Sequence, residues 1–115
     1  MVPRQQTLRA SEDWSHDLLS ESERVVFRRL AAFRGGFDLD AAHAVAGGSD
    51  LPRGLIIDML TQLVDKSLVI ADSTGESTRY RMLQTVQQYA REKLERAGES
   101  ETVRARHRDH YTALF

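Results

Sequence analysis

Ser15, His16 and Asp17 carry the three side-chain types of a nucleophile, a base and an orienting acid. They are consecutive, however, and consecutive residues of a helix point about 100° apart, so they cannot meet at one reacting atom. His107 and His110 are three apart, which puts two imidazoles on one helix face. Two ligands do not close a metal site and no third stands at useful spacing, so packing or surface roles are expected and no metal is. Asp38 with Asp40, and Glu21 with Glu23, have the composition of acid/base pairs. Both pairs stand at expected helix starts, where carboxylates cap free N–H groups and favour the helix dipole. There is no G-x-x-x-x-G-K-[ST], and neither Gly35-Gly36 nor Gly47-Gly48 lies in a G-x-G-x-x-G pattern. The chain thus reads as no enzyme, with no cofactor bound by this fragment alone.

The bulk properties agree with a binding or packing role. The chain has 115 residues, 41% hydrophobic and 29% charged, which suits one soluble globular domain. It has no cysteine, so disulfides and thiolate metal sites are excluded. The net charge is -1, without the basic excess of many nucleic-acid binders. Of the 16 Lys and Arg residues only Lys66 and Lys93 are Lys; Arg favours bidentate pairing with carboxylates and phosphates. No apolar run approaches the length of a membrane span and no secretory signal follows Met1, so the cytoplasm is the expected location.

The elements that must position these residues follow from periodicity and punctuation. A first helix is expected from about Thr7 to Leu19, with Trp14 anchoring its inner face. Ser20 and Glu23 form a capping-box pattern for a second helix, striped by Val26, Phe27, Leu30 and Phe33 and ending at Gly35-Gly36. Asp38 or Asp40 caps a short third helix, residues 41–46, stopped by Gly47-Gly48. Pro52 opens a fourth helix that is apolar almost all round and should be buried on most of its surface. Residues 67–71 and 79–83 read as a β-hairpin. A helix over about 84–97 stops at Gly98. A last helix carries Val103, His107, Tyr111 and Leu114, which suggests an unfinished partner face. The fold class is mainly α with a small β-hairpin: a winged helix-turn-helix with extra N- and C-terminal helices. Residues 1–98 would be the winged domain with its entry helix, and 99–115 the start of a C-terminal helical, repeat-like region.

In a DNA-binding winged helix the fourth helix enters the major groove. Here its charges, Arg53, Asp58, Asp65 and Lys66, cancel, and Gln62 is its one amide. A reading helix needs several donors for base edges. The wing adds Asp72 and Glu76 at its tip, which phosphates would repel, while Arg79 and Arg81 alternate with Tyr80 on one strand and could touch a backbone. Arg104 to Arg108 is the most basic run, expected as a solvated or domain-contacting helix face. If the chain binds DNA, the candidate contacts are Arg53, Gln62, Lys66, Arg79 and Arg81.

Several blocks in order resemble a known family: Asp13-Trp14-Ser15-His16-Asp17-Leu18-Leu19, Phe33-Arg34-Gly35-Gly36-Phe37-Asp38, Leu60-Thr61-Gln62-Leu63-Val64-Asp65-Lys66-Ser67-Leu68-Val69 and Tyr80-Arg81-Met82-Leu83-Gln84-Thr85. They are similar to the winged-helix domain of NB-ARC or STAND-type signal transduction ATPases, as in large LuxR-family transcriptional regulators of actinobacterial type. That resemblance implies a parent protein with a nucleotide-binding domain before this module and helical repeats after it. It implies ADP or ATP bound by the parent, and a winged helix that packs within the protein and holds its off state. Arg81, Leu83 and Gln84 would be the nucleotide-proximal positions. Leu83 and Gln84 replace a His and an Asp of relatives, and Leu cannot donate to a phosphate. His16 replaces a Tyr. The alternative reading is an autonomous DNA-binding winged helix of a transcriptional regulator.

Overall fold

The computed structural model describes residues 13–47, 51–73 and 78–113. In chain order these form α1 (described over 13–17), α2 (Glu21–Arg29), a 3-10 turn (Leu30–Ala32), α3 (Leu39–Ala46), α4 (Arg53–Asp65), β1 (Ile70–Asp72), β2 (Arg79–Arg81), α5 (Gln84–Arg96) and α6 (Ser100–Ala113). The expected start of the first helix, near Thr7, lies outside the described residues.

Local chemistry sets the helix starts. Ser20 Oγ accepts from the Glu23 backbone N–H at 3.2 Å, so the expected capping pattern forms. Asp38 Oδ1 accepts from the Ala41 N–H at 2.8 Å and opens α3, which ends at Gly47. Gly98 terminates α5 with φ +73°, a left-handed conformation suited to glycine.

Tertiary partners set the ends and faces, and here five expectations are corrected. Trp14 does not anchor α1: it is 66% exposed, and Leu18 53%. The inner face carries His16, whose ring meets Phe27 and Tyr89, followed by the buried Leu19. Helix α2 stops short of Gly35-Gly36, because it tightens into the 3-10 turn and Phe33 is already extended. The Gln87 side-chain amide donates to the Ala31 and Phe33 carbonyls, satisfying oxygens that a glycine cap would otherwise serve.

Helix α4 is buried along one stripe only, Ile56, Leu60 and Leu63. It packs mainly on α2 and α3, which leaves the opposite side open. The first strand is shorter and later than expected. Ser67 takes φ 64°, and the Leu68 and Val69 N–H groups donate back to the Leu63 carbonyl, so this stretch closes α4 before β1 begins.

The two strands pair antiparallel, Ile70 with Arg81, Ala71 with Tyr80 and Asp72 with Arg79. Phe37 adds a bridge on the other edge of β2, exchanging backbone hydrogen bonds with Tyr80 at 2.8 and 2.7 Å. One core joins all of this. Val26, Phe27, Leu30, Phe37, Ile56, Leu60 and Leu63 lie within it, and so does Val103 of α6. Helix α6 packs on α3 and the 3-10 turn, with His107 and Tyr111 against Phe33. The face read as unfinished therefore has its partner inside the chain; Leu114 lies outside the described residues. Helices α2 to α4 followed by the hairpin form a winged helix-turn-helix, the expected fold class. Among the described residues no helix is long and apolar enough to cross a membrane.

Candidate nucleic-acid interface

The open side of α4 is the surface a groove-reading helix would present. It carries Arg53, Asp58, Thr61, Gln62 and Asp65, all exposed, with Ile57 at 42%. Arg53, at the first position of α4, is ion-paired with Asp40 of α3. Both partners are largely exposed, so the pair is weak and a phosphate could displace it. The Thr61 hydroxyl donates to the Ile57 carbonyl at 2.9 Å, back into its own helix. Gln62 is thus the one free amide facing outward, between two carboxylates.

Lys66 does not join this face. Its ammonium donates to Glu23 Oε2 at 2.7 Å and to the Leu18 carbonyl at 3.4 Å, fastening the end of α4 to α2. Burial pushes the Glu23 carboxyl up, but the hydrogen bonds from Lys66 and Ser20 outweigh it and hold the group below its ordinary value.

The wing is different in character. Arg79 and Arg81 are both exposed, with the half-buried Tyr80 between them stacked on Phe37. Residues two apart on a strand share a face, so both side chains leave one side of β2 from Cα positions about 7 Å apart. Neither is in an ion pair with another described residue, although Asp72 stands opposite Arg79 in the register.

Beyond the wing, Leu83 is 50% exposed as the N-cap of α5, and Gln84 is exposed at its first position. Gln84, Gln87, Gln88 and Arg91 line a shallow groove with Arg34 and Met82. The structure thus places Gln84 on one groove with Arg34 and Arg91, neither of which sequence reasoning singled out. Their signal was present: Gln84, Gln88 and Arg91 fall at i, i+4 and i+7, one polar stripe along a helix.

The remaining chemistry-bearing residues are taken up by packing. The His16 ring lies 5.9 Å from Phe27 and 5.8 Å from Tyr89, and burial, with Lys93 and Arg24 nearby, lowers its pKa. His107 lies 5.2 Å from Phe33 and 4.7 Å from Tyr111, and burial lowers its pKa too, with His110 adding to the effect. Among the described residues no group of three His, Cys, Asp or Glu is placed to hold a metal ion.

Comparison with known proteins agrees with the architecture. The winged helix-turn-helix domain family matches residues 19–95. A protein of Mycobacterium tuberculosis assigned by name as an HTH-type transcriptional regulator is 64% identical over 113 residues, 98% of this chain and 13% of its own length. A protein of the same description in Mycobacterium bovis matches equally. An uncharacterized protein of Mycobacterium tuberculosis is 46% identical over 107 residues, 92% of this chain and 27% of its own length. The chain therefore spans a small part of these relatives. No solved structure matches. The helix-turn-helix, the hairpin and the match over residues 19–95 agree: the chain belongs to the winged helix-turn-helix domain family.

Proposed function

We propose that this chain is the DNA-contacting winged-helix domain of a transcriptional regulator, with the hairpin as its main grip on the phosphate backbone. The observation that carries this reading is the pair Arg79 and Arg81, exposed on one face of β2. Phosphate contacts position a protein on the duplex, and base contacts specify. Arg79 and Arg81 supply the first. Arg53 and Gln62 on the open side of α4 are the residues available for the second, while Lys66 is held by Glu23. The names of the regulators that share 64% identity support the assignment.

A second reading rests on one specific observation, the charge of the α4 face. Asp58 and Asp65 repel phosphates, Arg53 is neutralised by Asp40, and the exposed Ile57 favours a protein surface. In this reading the domain packs against other parts of a larger regulator, of the nucleotide-switched kind that the sequence resembles. Leu83 and Gln84 are then contact points on the same molecule.

Anisotropy titration of a labelled random duplex against this chain separates the two. The DNA reading expects binding at low salt that falls with log[salt] at a slope of roughly -2, about -0.9 for each phosphate contacted. The Arg79→Ala, Arg81→Ala double variant should lose most of that slope and weaken binding equally on all sequences. No retention at low salt overturns the DNA reading and leaves internal packing, and retention indifferent to the double variant overturns the hairpin as the grip on the backbone.

A further inference from the structure

A second surface of the molecule concentrates positive charge away from α4, bordering the foot of the wing, where Arg79 and Tyr80 lie against Gly36. A cleft of about 680 Å³ opens between the loop after the 3-10 turn, α5 and α6. Arg34, Arg91 and Arg104 stand around it, one from each of these three segments. All three are exposed, and none has an ion-pair partner among the described residues. Among the described residues no carboxylate lines the cleft, so the three cations share it without a lining acid.

The floor is of a different kind. Phe33 and Leu94 are buried core residues whose edges reach the cleft, and Tyr111 closes one side. Ser100 lines the cleft, and its hydroxyl is shielded from solvent with no hydrogen-bond partner among the described residues. A buried hydroxyl left unpaired is costly, and a turn of the Ser100 side chain towards a ligand in the cleft would remove that cost. The volume lies in the usual range for small-molecule sites, which are apolar with a few convergent polar groups.

We propose that this cleft binds a small organic anion, its carboxylate held by the three guanidinium groups and its flat apolar body laid on Phe33, Leu94 and Tyr111. Guanidinium pairs with carboxylate in a bidentate fork, which orients the ligand as well as attracting it. The apolar floor distinguishes such a ligand from a bare inorganic anion or a phosphate backbone, neither of which would cover it. A bound ligand would bridge α5 and α6 and so tighten the packing of α6. The three guanidinium groups belong to neither wing strand, so ligand binding here does not require DNA binding, although Gly36 at the rim touches Arg79 of β2.

The test is a titration of the ¹⁵N-labelled chain with 2-naphthoate, compared with neutral 2-naphthalenemethanol and with acetate. The expected result is saturable shifts at the amides of Gly36, Ser100 and His107, with naphthoate at least tenfold tighter than either comparator. The Arg91→Ala, Arg104→Ala double variant removes two exposed side chains that form no ion pair among the described residues, so it should keep the native spectrum and lose at least tenfold in affinity. Three results overturn the proposal: naphthoate binding no tighter than the alcohol, shifts centred on Trp14 and Leu18 instead, or no saturation below about 10 mM.

Discussion

Glu99 joins the two ends of the fold through one carboxylate. Its oxygens accept from Arg28 Nε at 2.7 Å and Arg29 Nη2 at 2.8 Å, some seventy residues earlier in the chain. Arg29 also donates to the Ala46 carbonyl at 3.0 Å, so the clasp ties α2, the end of α3 and the start of α6 together. The hydrogen bond from Arg29, with Arg28 in support and against the opposing effect of burial, holds the Glu99 carboxyl down at about 2. Charge-assisted bonds of this kind contribute about 2 kcal/mol. Glu99→Gln should therefore lower the urea midpoint by an amount equal to about 2 kcal/mol at pH 7. The native advantage is present above the ordinary carboxylate range and is lost as pH falls towards 2, so the two proteins should converge there. Nothing in the sequence pointed to Glu99, since its partners lie far along the chain. The misplacement of Trp14 has the same origin. A four-turn amphipathic pattern allows either Trp14 or His16 to face inward, and the rings of Phe27 and Tyr89 decide it.

Helix starts were legible in the sequence because a cap is a contact between residues three apart. Asp38 caps α3 with its side chain, whereas Asp40 makes only an exposed pair with Arg53. Asp38→Ala should cost about 1 kcal/mol. Asp40→Ala should cost well under 1 kcal/mol, roughly 0 to 0.5, because exposed pairs are screened. Equal losses in urea unfolding would contradict this division of roles. Helix ends and strand edges were less legible, since their partners are remote. The end of α2 depends on Gln87, and the third edge of the small sheet depends on Phe37, a single residue meeting Tyr80 across the chain. Phe37 is also stacked on Phe33 at 4.6 Å and is 1% exposed. Phe37→Ala should cost about 3–5 kcal/mol. It should also loosen the wing, seen as faster amide exchange at Tyr80 than the global loss of stability accounts for.

At the scale of the whole molecule, the order of elements was readable from periodicity and glycine punctuation, but the position of α6 was not. Val103, His107 and Tyr111 have the spacing of a packed face whichever body they pack against, and only the fold shows that α3 and Phe33 cover them. That closure places a second half-buried imidazole in the structure, beside the one at the other end. His16 and His107 both have pKa values lowered chiefly by burial. Each is more readily protonated in the unfolded chain than in the fold, so the unfolded state takes up more protons as pH falls through 6.5. Their contribution to stability is complete above 6.5 and declines below it. Glu99 acts in the same direction but at lower pH, between the ordinary carboxylate value of 4.5 and about 2. The midpoint of thermal unfolding should consequently fall in two stages on acidification, one beginning near pH 6.5 and one below 4.5. His16→Gln with His107→Gln should flatten the first stage and leave the second, while Glu99→Gln should leave the first and shrink the second, to which Glu23, also held below its ordinary value, contributes the remainder. A single stage untouched by the histidine substitutions would show that both rings protonate freely in the native state, and that the packing of α1 and α6 onto the core is looser than the ring contacts indicate.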